Sequence, residues 1–76
     1  MHKGFVLLNC DMGAEESIVN ELRQIDEIMN AYPTFGAYDV IAEINAQTQE
    51  SFESVVASIR SFSRVVSTMT LSIVDV

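Results

Sequence analysis

The chain has 76 residues, 49% of them hydrophobic, with one cysteine, one histidine and a formal charge of -7 from eleven acids against four bases. One cysteine excludes an internal disulfide, one histidine leaves no zinc pattern, and a core this small is marginal alone, so self-association is the first inference. Lys3, Arg23, Arg60 and Arg64 are scattered, so neither direct nucleic-acid binding nor adsorption to an anionic membrane is expected.

Met1 to Gly4 reads as a frayed start, and Phe5 to Cys10 as a strand apolar at both parities, hence buried on both faces. Its run from Phe5 to Leu8 is too short for a signal-peptide core or a membrane span, and a free Cys10 fits a reducing compartment, which together indicate the cytoplasm. From Ala14 the spacing turns helical, with Ile18, Val19, Leu22, Ile25 and Ile28 or Met29 on one stripe. Glu15 and Glu16 complement the helix dipole in the first turn, and Asn30 followed by Pro33 is the expected stop.

Ala31 to Phe35 reads as a short strand that Pro33 assigns to a sheet edge, and Gly36-Ala37 as a tight hairpin connection. Tyr38 to Asn45 follows as a strand, with Tyr38, Val40, Ala42 and Ile44 on one face and Asp39, Ile41, Glu43 and Asn45 on the other. Thr48 is a natural N-cap for a second amphipathic helix carrying Phe52, Val55, Val56, Ile59 and Phe62, with Arg60 and Arg64 toward its negative pole. Val65 to Val74 is the last strand, with Ser67, Met69, Leu71 and Ile73 on one side and Val66, Thr68, Thr70, Ser72 and Val74 on the other.

The order β-α-β-β-α-β is that of a ferredoxin-like α+β fold. Right-handed crossovers arrange it as a four-stranded antiparallel sheet with both helices on one face. The other face is then bare, with Val6, Leu8, Ile41, Val66 and Val74 expected on it and a second copy as its simplest cover. Such a homodimer, of the dimeric α/β barrel type, would be held by apolar burial of roughly 25 cal/mol per Å² before association costs.

The segments Phe5 to Cys10, Glu16 to Leu22, Phe35-Gly36-Ala37-Tyr38-Asp39-Val40 and Val65 to Val74 together resemble the effector-binding (RAM) domain of the Lrp/AsnC transcriptional regulators. Gly36-x-Tyr38-Asp39 before an apolar strand and Thr68-x-Thr70 in the last strand are the most specific elements. The resemblance implies dimers that assemble into tetramers or larger rings, with an amino acid or related metabolite bound near the interface between dimers. It implies an effector region at Tyr32, Thr34, Gly36, Tyr38 and Asp39, with Thr68 and Thr70 from the last strand, and neither cofactor nor metal. Full-length members carry a helix-turn-helix ahead of this domain. Here residues 1–76 read as a single effector-binding domain without it, acting as a sensor or through a partner such as a full-length regulator.

Each residue also has a plainer reading. Gly36 brings a backbone amide to a ligand or serves a turn of positive φ. Asp39 pairs with a ligand ammonium or accepts hairpin amides. Tyr38, with Tyr32 and Thr34 beside it, lines a pocket or packs, and Thr68 and Thr70 meet ligand or pair across strands. Cys10 reads as a small buried apolar residue, His2 as a terminal one, and Met12, Met29 and Met69 as core or interface filler. Two other functions compete with non-enzymatic sensing. A dimeric α/β barrel enzyme is weakened by the absence of an evident nucleophile and base, and a purely structural assembly module would need no ligand.

Overall fold

Alternation along the strands decides which side chains meet the helices. The computed structural model describes residues 1–74, in the order β1 (His2–Cys10), α1 (Glu15–Leu22), β2 (Ile28–Pro33), β3 (Val40–Ala46), α2 (Gln49–Arg60) and β4 (Val65–Ser72). The strands form one antiparallel sheet in the order β2-β3-β1-β4. This is the expected ferredoxin-like arrangement. Directly paired residues share a face, and the pairs Val6 with Ala42 and Leu8 with Val40 fall on the side where Ile18, Val19, Leu22, Phe52, Val55 and Ile59 complete one core.

Several expected boundaries and faces shift. β1 begins at His2, because residues 2 to 4 pair with residues 44 to 46 of β3 instead of fraying. α1 stops at Leu22, well short of Met29: Ile25 turns back onto the core, and Ile28 pairs with Ile44 as the first residue of β2. Asn30 therefore lies inside β2, where its side-chain amide donates to Glu43 at 2.8 Å. Pro33 closes β2 at the sheet edge, as expected, and α2 begins on the expected cap, with Thr48 accepting from the Ser51 amide and the Ser51 hydroxyl accepting from the Thr48 amide. α2 ends at Arg60, before Phe62 and Arg64, and β4 ends at Ser72.

The bare face exists, but its membership differs. Val6 and Leu8 are fully buried under the helices. Their neighbours Phe5 and Leu7 occupy the open face, in the cross-strand rows Asn30–Glu43–Phe5–Leu71 and Tyr32–Ile41–Leu7–Met69. Ile41 is there as expected, whereas Val66 falls at the register shift near the start of β4 and Val74 lies beyond its end, so the β4 residues of this face are Met69 and Leu71. Met12 is almost wholly exposed and Met29 and Met69 are about half exposed, so none of the three fills the core.

At Gly4 the Phe52 ring of α2 packs directly onto the sheet backbone. A Cβ there would meet Phe52 Cζ at 2.7 Å and crowd the Leu71 carbonyl. Urea denaturation is expected to show Gly4→Ala less stable by about 1–3 kcal/mol through overpacking, and Leu8→Ala by about 2–5 kcal/mol through lost burial and the cavity left behind.

Candidate effector site at the open end of the sheet

The β2–β3 connection, residues 34–39, is closed on itself by two bonds. The Thr34 amide donates to the Asp39 carbonyl at 2.9 Å, and the Thr34 hydroxyl donates to the Tyr38 carbonyl at 2.7 Å. Between them Gly36 adopts φ +117, a backbone region that side chains oppose, with open space where a Cβ would stand. The connection is thus a broad loop instead of a two-residue hairpin turn, and Tyr38 and Asp39 precede β3.

Asp39 ties this loop to the end of β1. Its amide donates to the Leu8 carbonyl at 2.8 Å, and its carboxylate Oδ2 accepts from the Cys10 amide at 2.9 Å. The carboxylate therefore bonds a neighbouring strand and not the hairpin amides, and Oδ1 accepts no hydrogen bond among the described residues. Tyr38 extends across the sheet, its hydroxyl 3.4 Å from Met69 Sδ. Tyr32, in the row with Ile41, Leu7 and Met69, places a second aromatic ring at the same end of the open face.

Tyr32, Thr34, Gly36, Tyr38 and Asp39 are thus brought together. Thr68 and Thr70 are not: they pair with Leu8 and Val6 and face the helices. Thr68 Oγ1 accepts from Arg60 Nε at 3.3 Å, and Thr70 Oγ1 is buried with no partner. Met69 between them is the β4 residue that reaches the cluster, and the alternation of β4 was the signal that could have found it. The partnership of Cys10 with Asp39 spans 29 positions and left no local trace.

Residues 32–37 are exposed, and Tyr38 and Asp39 are half-buried, so the cluster forms an open surface in one chain. Carboxylates dominate the field nearby. Burial pushes the Cys10 thiol above its ordinary value of 9.0, the charges of Glu15, Asp39 and Asp11 raise it further, and Arg64 opposes them. Among the described residues no three His, Cys, Asp or Glu side chains converge as a metal site requires, and no helix is long and apolar enough to cross a membrane.

The family model for the Lrp/AsnC ligand binding domain matches residues 3–75. The chain belongs to that family. No curated protein sequence matches it, but solved structures do. A hypothetical protein, PHS023 from Pyrococcus horikoshii, superposes with a TM-score of 0.92 at 24% identity, covering 97% of this chain and 90% of that one. AsnC from E. coli gives 0.87 at 21% identity, and the transcriptional regulator NMB0573 from Neisseria meningitidis, solved as a complex with L-Met, gives 0.84 at 14%. Each regulator match covers 97% of this Lrp/AsnC domain but only 51% and 50% of the regulators themselves. At these identities the likeness establishes the shared fold.

The charge environment of Cys10 makes a direct prediction. The rate of iodoacetamide alkylation of the native domain, followed against pH, is expected to reach half its maximum above pH 9.0. Asp39→Asn, which removes one of the opposing charges, lowers that midpoint, and Arg64→Ala raises it.

Proposed function

We propose that this Lrp/AsnC domain is a non-enzymatic sensor of an amino acid-like effector, bound at the 34–39 loop and enclosed when a second chain covers the open site. The observation that carries this reading is the Asp39 clamp. One carboxylate oxygen holds the loop against β1, while the other remains available beside Tyr38 and the apolar margin of the sheet. A carboxylate held at an apolar rim suits an α-ammonium group, since a contact desolvated on binding is stronger than a surface pair. The exposed amides around Gly36 suit the effector's own carboxylate.

Self-association belongs to the same reading. The open face carries Phe5, Leu7, Ile41, Met69 and Leu71 in adjoining rows, and a contiguous apolar patch of this kind is commonly an interface. A homodimer packed through these faces covers it, and further assembly into a tetramer or ring brings the loop ends of separate dimers together around the effector. The output then passes through the assembly or a partner protein, such as a full-length regulator of the family. The family match, the regulator neighbours and the L-Met complex of one of them support this reading.

Light scattering and thermal unfolding across a panel of amino acids test the proposal together. A ligand of the native state is expected to stabilise it by about 2.7 kcal/mol at a hundredfold excess over its Kd. Asp39→Asn retains an acceptor for the Cys10 amide while removing the charge, so it should fold and yet bind the effector at least about tenfold more weakly. Unchanged affinity in that variant would remove the ammonium role from Asp39, and no response to any amino acid would overturn amino acid sensing.

A further inference from the structure

The helix layer covers the sheet unevenly. α1 has eight residues and α2 has twelve. After Leu22 the chain reaches β2 through turns at residues 23–27, where a longer α1 would have run beside the first turns of α2. A trough of about 350 Å³ is left there. Val55, buried, and Ile25, half-buried, supply its apolar floor. Glu27 and Glu50 carry its charge, and Ser51, Ser54 and Ser58 line its α2 side.

From Thr48 to Ser58 the trough follows α2 for about 15 Å, at 1.5 Å per residue. Past Thr48 and Ser51 it continues into a second hollow of about 490 Å³, which adds the Asp26 carboxylate and two exposed methionines, Met1 and Met29. No lysine, arginine or histidine lines either hollow, and the Met1 amino group stands at the second alone. The arginines of the helix layer are drawn to opposite edges of the sheet. Arg23 Nη2 donates to the Ala31 carbonyl of β2 at 3.0 Å, and Arg60 Nε donates to Thr68 Oγ1 of β4 at 3.3 Å. The trough between them is left acidic above an apolar floor.

We infer that this trough docks a basic amphipathic helix of another protein, laid along α2. Its length takes about three turns of helix. The serines, three and four positions apart, present small side chains against which a second helix packs closely. Ile25, Val55 and the adaptable methionines receive its apolar side chains, and Glu27, Glu50 and Asp26 meet lysines or arginines at its borders. An acidic helix would oppose like charges, and an uncharged one would cover the carboxylates unpaired, so charge complementarity selects a basic occupant. The trough lies on the side of the sheet opposite the open face. Docking there is therefore independent of the proposed self-association and effector site, and it gives a partner protein of that reading a place to bind.

The test uses two synthetic amphipathic helices of about 15 residues with the same leucine and alanine face, one bearing lysine and arginine on its polar face and the other glutamate. Each is titrated into the isotopically labelled domain and followed by NMR and by fluorescence anisotropy. The basic helix is expected to bind at least about tenfold more tightly than the acidic one, to shift the Ile25, Glu27, Ser54 and Ser58 amides, and to weaken as salt is raised. Glu27→Lys and Glu50→Lys each lower its affinity about tenfold, and Ser54→Tyr does so by filling the trough without changing the charge. Shifts confined to the open face or spread over all the carboxylates would overturn the inference. So would equal binding of the two helices, unchanged affinity in the Ser54→Tyr variant, or no binding of the basic helix. None of these outcomes bears on amino acid sensing, which stands or falls with the amino acid panel.

Discussion

The register of β1 against its two neighbours governs the molecule. β1 lies between β3 and β4, and its alternation sends Val6 and Leu8 to the helices and Phe5 and Leu7 to the open face. A slip of one residue would exchange the two sets and place the core apolar residues in solvent. Helix packing secures the register: Gly4 admits Phe52 against the sheet, and the buried row at Val6 and Leu8 meets both helices through one continuous core.

The same register builds the candidate site. Because β1 ends at Cys10 beside the start of β3, its last amide reaches the Asp39 carboxylate, and the loop that precedes β3 is held at the margin of the open face. Tyr38, Tyr32 and Met69 come together there from three parts of the chain. Fold and candidate site are coupled at Asp39, which is at once the structural clamp on β1 and the acid of the proposed effector contact. The open face and the 34–39 loop adjoin, so covering one changes the surroundings of the other. That adjacency is the physical basis on which the proposed function links ligand occupancy to assembly.

Much of this was legible in the residues. Thr48 and the spacing of Phe52, Val55, Val56 and Ile59 announced α2, and Pro33 announced an edge strand. Gly36 followed by Tyr38 and Asp39 marked the loop that gathers most of the candidate site. What escaped depended on long-range pairing. Ile25 and Ile28 continue the helical period of α1, and only the pairing of Ile28 with Ile44 turns that stretch into a strand. The run Phe5 to Leu8 is apolar at both parities, so nothing local distinguished its core side from its open side. The family resemblance grouped Thr68 and Thr70 with Tyr38, yet strand alternation places them on the helix side and brings Met69 to the loop in their stead.

The central claim is that the face bearing Phe5, Leu7 and Ile41 is covered by a second copy, which also closes the effector site. Isotope-filtered NOE spectroscopy on a mixture of labelled and unlabelled protein tests it most directly. The account predicts intermolecular contacts from the Leu7 and Ile41 methyl groups to the partner's open face, with Tyr32 and Tyr38 at their border. Intermolecular contacts confined to the helix side of the sheet, or none from Leu7 and Ile41 in a sample shown to be assembled, would contradict it.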